Sequence, residues 1–377
     1  MEKIEFLAGS EKRFFEFISG LDEKGKIALI SHKSDPDGIV SAKIMNKVLN
    51  ADFVKFIGYP DLNDGLVDEL KKLKVKKVVI TDIMFHEPKI LGKISKFADL
   101  LIVDHHPFAF DYNSIDNSGN CITNCPEFSN KTIPENTSNG IVYDKIYFID
   151  AKDYCAAYLC YYLCSKIENL EQIDWLIACT CVADWCYSKN AEWMEGVYSK
   201  YGEEFIGTIQ DVRKGKFWEI AEIIAYAIVY FENNEKKVYE GIGEEFGDVI
   251  ELKKYADEVK KEVFRGVKKF NDKKEVIGDI YFYELKSKFK IVSSVINEVS
   301  VKIHYKTILI ARDDGERYGI SVRRQDSKVD TNIFLQDLVK GFSGASAGGH
   351  LKASGGYVLL KDKEEFLKRL RGFKVDL

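Results

Sequence analysis

The chain has 377 residues, a formal net charge of −5, a sequence pI near 5.9 and 46% hydrophobic residues. Charged residues at 31%, plentiful Phe and Tyr and only 6 Pro exclude disordered and collagen-like chains, and the length suffices for two domains that each bury a core. The longest apolar runs, Tyr154–Cys164 and Ile223–Phe231, fall well short of the ~18 residues of a membrane span. The opening MEKIEFLAGSEKR carries charge where a signal peptide needs an apolar stretch, so a cytoplasmic protein with no membrane contact is expected.

The first half alternates strands and helices. Lys26–His32, Ala51–Gly58, Lys76–Ile83, Leu100–Val103 and Ile146–Asp150 read as strands, and Gly38–Leu49 has helical periodicity. Continuous apolar strands spaced by helices predict an α/β fold with a doubly wound, mainly parallel sheet. Between Pro107 and Tyr143 the pattern lapses into Asn, Ser, Gly and Pro, an irregular excursion. Two apolar helices follow between Tyr154 and about Ala191, then a mixed-charge helical connector over residues 191–270. Asn271–Lys274 is the expected linker. A smaller α/β domain over 271–377 follows, with strands at Val276–Phe282, Thr307–Ala311, Tyr318–Val322 and Gly356–Leu360. Its helices are expected at Phe289–Val301, Thr331–Val339 and from Lys363, with a glycine-rich loop before the last strand. Residues 1–190 form the first domain in this reading.

All eight cysteines lie between Cys121 and Cys186. Cys155, Cys160, Cys164, Cys179 and Cys181 sit in apolar helical sequence, where free cysteine behaves as a small hydrophobe. Cys121 and Cys125 alone have polar surroundings, and their CxxxC spacing lacks the second pair a zinc clip needs.

Three sites share one topology. His32-Lys-Ser-Asp35-Pro-Asp37-Gly38 follows the first strand, Asp82 ends the strand VVIT, and Asp104-His105-His106 follows LLIV. In an open parallel sheet, ligands bind beyond the carboxyl ends of the strands. These turns should therefore bring four Asp and three His into one crevice, where carboxylates repel one another unless a cation neutralises them. Asp184 adds a carboxylate inside the apolar stretch Trp175–Trp185, and a buried carboxylate must pair, protonate or bind metal. This donor mixture suits Mn²⁺ or a similar octahedral ion better than structural zinc.

In these motifs the sequence resembles the DHH phosphoesterase superfamily: HxxDPDG at His32–Gly38, Asp82 at a strand end, DHH at Asp104–His106, and Asp184 in an apolar helix. Gly348-Gly349-His350, followed by Ala353-Ser354-Gly355-Gly356, is similar to the GGH signature of the DHHA1 domain, and Ser321-Val322-Arg323 to its strand-borne arginine. The resemblance implies two divalent ions, Mn²⁺ or alternatively Mg²⁺. His32 and Asp35 would hold one, Asp37, His105 and Asp184 the other, and Asp82 both. It further implies that Asp104 fixes a histidine tautomer and that His106 faces the scissile phosphate, these two joining Asp82 as catalytic residues. Arg323, Gly348, Gly349 and His350 would bind substrate phosphate, with Arg324, Lys328 and Lys352 as weaker candidates whose default reading is solvated surface charge.

Within the superfamily the chain looks most like archaeal RecJ-like exonucleases. The implied function is hydrolysis of single-stranded DNA or RNA from an end by two-metal-activated water. One alternative is a nano-RNase-type phosphodiesterase of short oligonucleotides. Another is a structural replication-complex subunit, with GINS or other replication and repair proteins as partners.

Overall fold

The apolar runs of the first half become five parallel strands: β1 (Lys26–His32), β2 (Phe53–Ile57), β3 (Val75–Thr81), β4 (Asp99–Asp104) and β5 (Ile146–Asp150), in the order β2-β1-β3-β4-β5. The computed structural model describes residues 4–22, 25–83, 89–106, 146–151, 153–208 and 210–373. Cys121, Cys125 and the Pro107–Tyr143 excursion lie outside the described residues. Two compact units are present, Met1–Ala256 and Asp257–Leu377.

The strands are apolar throughout because both sheet faces are buried. Leu29, Val79, Leu101 and Val103 face one core, while Ala28, Ile30, Val78, Ile80, Leu100 and Ile102 face the other. The first core takes in helices α1 (Glu11–Ser19) and α2 (Pro36–Leu49). The second is closed by α3 (Asp64–Leu73) and α4 (Lys89–Ser95). The apolar helices α5 (Ala156–Cys164) and α6 (Asp174–Ala183) join the first core, as do residues of α7 (Ala191–Lys200), α8 (Gly215–Tyr230) and α9 (Lys236–Gly241). Helix α10 (Ile250–Lys273) contains the boundary between the units. Of the polar segment expected as a linker, Asn271–Lys274, the first three residues instead supply the last turn of α10 and Lys274 follows it, because Asn, Asp and Lys on a solvated helix end need no break.

The second unit is a mixed six-stranded sheet, β10-β11-β9-β8-β7-β6. The run expected as one strand, Val276–Phe282, is a hairpin of β6 (Glu275–Ile277) and β7 (Ile280–Glu284), since Gly278 (φ 57°) reverses the chain at a two-residue turn. Helix α11 (Val292–Ser300) packs on β8 (Thr307–Asp313) and β9 (Arg317–Arg323). Residues of α12 (Thr331–Val339) and α13 (Lys363–Gly372) share a core with Leu309, Tyr318, Ile320 and Val322. The expected glycine-rich loop is also regular. Ser346–His350 forms edge strand β10, paired antiparallel with β11 (Ala353–Leu359).

Arg324 is a further departure. It is not solvated like the exposed Lys328 and Lys352, but 2% exposed, with its guanidinium on Asp279, Thr307 Oγ1 (3.1 Å) and both oxygens of Asp326 (2.7 and 3.1 Å). Arg324→Met would leave two carboxylates without their shared partner. It should cost about 3–5 kcal/mol, and Arg324→Lys should recover only part because it lacks the fork. Denaturant midpoints measure both. Arg324 hydrogen bonds hold the Asp326 carboxyl down to about 2. That stabilisation should be complete above the ordinary carboxylate range and disappear as pH falls from about 4 toward 2.

Candidate metal centre

The order β2-β1-β3 makes the chain cross over in opposite directions from β1 and β3, leaving a crevice beyond their carboxyl ends. His32 ends β1. Asp35 caps α2 by accepting the Gly38 N–H (3.1 Å), with Pro36 next in the first turn. Only glycine fits at 38, because a Cβ there would lie 2.2 Å from the His32 carbonyl oxygen. Beneath this turn, Ser31 and Ser41 hydroxyls bond Thr81 Oγ1 at 2.7 and 2.9 Å, locking β1, α2 and β3 together. Asp82 follows in the left-handed region (φ 58°), which aspartate tolerates, and its N–H donates to Val103 O of β4 (3.1 Å).

The structure brings all the sequence-predicted residues of the first unit together. His32 Nδ1 is 3.0 Å from Asp35 Oδ2 and 3.6 Å from Asp82 Oδ2. His105 Nε2 is 3.5 Å from Asp37 Oδ2, 3.4 Å from Asp82 Oδ1 and 3.8 Å from Asp184 Oδ2. Three overlapping donor groups result, His32–Asp35–Asp82, Asp37–His105–Asp184 and Asp82–Asp104–His105–His106, each with ligand atoms within 4.8 Å of one another. Asp82 turns Oδ2 toward His32 and Oδ1 toward His105. Asp104 Oδ1 accepts the His106 Nδ1–H (2.8 Å) and the backbone N–H of His105 (2.8 Å), so it sets the tautomer of one histidine and the backbone of the other. Asp37 is held by a helix end: its oxygens accept the N–H groups of Ala156 and Ala157, both at 2.8 Å, at the start of α5.

Electrostatics favour a cation. Burial, with Asp37 and Asp35 adding to it, pushes Asp82 well above the usual carboxylate range. Burial and Asp37 push Asp184 up to about 8. For His32, burial opposes the charge but Asp35 and Asp82 outweigh it, raising the imidazole to about 10. Asp82 Oδ2 is buried and has no hydrogen-bond partner. An orphaned carboxylate oxygen facing imidazole and carboxylate donors is a metal-ligand arrangement, and this oxygen–nitrogen set fits Mn²⁺ or Mg²⁺.

Two neighbours escaped the sequence reading. Asp150, ending β5 opposite Asp104, is 2% exposed with Oδ1 unbonded, and burial and Asp104 raise it to about 7. Tyr59, past the end of β2, lies with its ring 5.5 Å from that of His32. Both follow strands of the same sheet, so the strand-end rule that located the other residues also covers them.

In the second unit, Arg323 ends β9, where its Nε donates to Asn297 Oδ1 (3.1 Å) and Nη1 to Val322 O (3.0 Å). Gly348, Gly349 and His350 are exposed on β10. The hairpin is clamped by Thr331, whose Oγ1 donates to His350 O (3.0 Å) and whose N–H donates to Leu351 O (2.9 Å).

Residues 279–375 match the family model for the DHHA1 domain. No curated protein sequence matches the chain. In fold the chain is similar to an exonuclease RecJ bound to manganese, at 12% identity and TM-score 0.64, over 98% of this chain and 94% of that one. It is similar to RecJ from Thermus thermophilus in complex with Mn²⁺ (14% identity, TM-score 0.63), over 98% of this chain but 55% of that one. CDC45 from Entamoeba histolytica shares the fold at 10% identity and TM-score 0.55, over 96% of this chain and 98% of that one. The five-stranded parallel sheet carries the Asp104-His105-His106 turn, and the second unit contains the residues that match the DHHA1 model. Residues 279–375 are thus a DHHA1 domain by family match, and the chain as a whole is RecJ-like in fold. Among the described residues, no helix is long and apolar enough to cross a membrane.

Replacing Asp82 should separate repulsion from ligation. Cation-free Asp82→Asn is expected to melt at or above the temperature of the cation-free parent, because one repelling carboxylate is gone. It should also lose most of the rise that Mn²⁺ produces in the parent. Thermal melts with EDTA and with Mn²⁺ measure both effects, and an unchanged Mn²⁺ response would remove Asp82 from the centre.

Proposed function

We propose that the chain is a divalent-cation-dependent phosphodiesterase that removes nucleotides from an end of single-stranded DNA or RNA. The observation that carries the reading is Asp82, buried, with one oxygen toward each of two histidine–carboxylate groups. His32, Asp35 and Asp82 would hold one cation, and Asp37, His105, Asp184 and Asp82 the other. Bound there, the ions would supply Lewis acidity toward phosphoryl oxygens and a water of lowered pKa. Asp104 accepts the His106 Nδ1–H hydrogen bond, so Nε2 is the nitrogen available to substrate, on a side chain 32% exposed. A scaffold protein with this fold would be free to lose these ligands, yet the full set is present.

Trp185 supports a nucleic-acid substrate. Helix α6 ends in the paired bonds Cys186 N–H to Cys181 O (3.0 Å) and Trp185 N–H to Val182 O (3.4 Å), a Schellman motif whose left-handed position normally takes glycine. Here that position, directly after Asp184, is Trp185, at φ 60° and 43% exposed. A strained, exposed indole beside a phosphoryl-transfer centre offers a stacking face for a base. Arg323 and the β10 edge supply the second unit's phosphate donors in this reading.

Several measurements test it. With Mn²⁺, an end-labelled long strand should give a ladder of shortened products. Cleavage confined to a dinucleotide and a pentanucleotide would move the assignment to a short-oligonucleotide phosphodiesterase. No cleavage of any strand by folded, Mn²⁺-binding protein would leave the structural-subunit reading. His106→Ala should bind Mn²⁺ normally while turnover falls about 10²–10³-fold. Calorimetry showing the loss of a binding event would make His106 a ligand instead. Trp185→Ala should raise KM for an oligonucleotide about tenfold, and Arg323→Ala should raise it as well. Bis-p-nitrophenyl phosphate, which has no base, should be much less affected.

A further inference from the structure

A second group of metal-ligating side chains lies behind the carboxylates. Cys155 precedes α5, Cys181 is in the last turn of α6, and Cys186 follows Trp185; all three are buried. Their sulfurs lie within 4.8 Å of one another, and Cys155 Sγ is 3.9 Å from Cys181 Sγ. The Schellman turn alone explains why Cys181 and Cys186 meet, since it draws those two side chains together. It does not explain Cys155, 26 residues from Cys181 in the chain. Cys160, Cys164 and Cys179 are also buried in α5 and α6, and among the described residues they join no such group. Asn190, itself 5% exposed, directs Nδ2 at Cys181 Sγ (3.7 Å), a hydrogen bond that favours thiolate over thiol.

The spacing has a physical meaning. Thiolates bonded at about 2.3 Å to one tetrahedral cation stand about 3.8 Å apart. The 3.9 Å separation matches that edge and far exceeds a covalent S–S bond. All three donors of the group are sulfur, so it selects a soft ion and leaves Mn²⁺ or Mg²⁺ to the oxygen-rich centre.

We propose that Cys155, Cys181 and Cys186 form a thiolate site for one soft d10 cation, Zn²⁺ or Cu⁺. Each sulfur gives up its proton to solvent as it binds. The ion would tie together two elements of the candidate metal centre. Cys155 caps the helix whose first N–H groups hold Asp37, while Cys181 and Cys186 bracket Asp184. The sulfur site stands independently of the phosphodiesterase reading; only its effect on Mn²⁺ affinity rests on that reading.

The test uses the full chain, reduced, stripped with EDTA and titrated with Co²⁺ as the optical stand-in for Zn²⁺. One equivalent should give near-ultraviolet sulfur-to-cobalt charge transfer, which a hard oxygen–imidazole centre cannot produce. The band should be lost in Cys155→Ser and Cys181→Ser, kept in Asp82→Asn, and removed by whichever of Zn²⁺ or chelator-buffered Cu⁺ the site prefers. Mn²⁺ should bind the Zn²⁺- or Cu⁺-loaded parent about tenfold more tightly than it binds folded Cys155→Ser. Should the serine variants fail to fold, thiol alkylation of the parent decides, because the cation should protect three thiols. No charge transfer and no protection would overturn the site and make these cysteines plain core residues. A reductant-sensitive Cys155–Cys181 disulfide in the protein as isolated would replace it with a redox pair. A sulfur site with unchanged Mn²⁺ affinity would overturn the coupling.

Discussion

Keeping Asp82 charged is the constraint around which the first unit is arranged. The carboxylate is 1% exposed, and Asp37 and Asp35 both oppose its ionisation. Two like charges about 4 Å apart repel by about 4 kcal/mol at an effective dielectric near 20. That is a large share of the ~5–15 kcal/mol by which a domain is stable. Histidines alone cannot balance the cluster, because each carboxylate also needs hydrogen-bond partners and Asp82 Oδ2 lacks one. A multivalent cation would answer both needs, and Asp82 lies in two of the candidate donor groups, with His32 and Asp35 and with Asp104, His105 and His106.

The surrounding structure holds those charges in place against their repulsion. The Ser31–Ser41–Thr81 hydroxyls lie directly beneath and fix the spacing of β1, β3 and α2. Asp37 rests on the N-terminus of α5, Asp35 caps α2, and Asp104 binds both residues of the histidine pair. Asp35, Asp37 and Asp104 therefore each have a backbone or imidazole hydrogen-bond partner that stabilises the ionised form, whereas Asp82 and Asp184 have only imidazole contacts of 3.4–3.8 Å. The strained backbone agrees. Asp82 and Trp185 both sit at positive φ, and they follow β3 and α6 at the two places where a side chain is turned into or beside the crevice.

The sheet and the centre were legible because their signals are local. A strand buried on both faces must be continuously apolar, and a ligand-bearing turn must follow it, so His32–Gly38, Asp82 and Asp104–His106 could be read in order. Asp150 and Tyr59 were missed because a single polar residue after a strand is common; only the sheet order shows that they adjoin the same crevice. Arg324 was misread because burial depends on distant Asp279, to which its sequence neighbours give no clue. Val276–Phe282 reads as one strand only if Gly278-Asp279 is passed over; that pair is a two-residue turn signal between short apolar runs, and the positive φ of Gly278 makes the turn. Glycine marks both loops and strands, so Gly348-Gly349 could not be assigned by composition.

In β10 the two glycines have different physical causes. A Cβ on Gly349 would lie 2.4 Å from Ala353 O, and its φ of 145° is closed to other residues, so the hairpin itself requires glycine there. A Cβ on Gly348 would meet no heavy atom within 4 Å. The protein's own packing would accept a side chain at 348, so the hairpin itself does not require glycine there. Ser346–His350 is a mostly exposed edge strand of small residues, against which α12 packs and whose last carbonyl accepts from Thr331 Oγ1, so β10 is held by helix and hairpin contacts in place of bulky side chains.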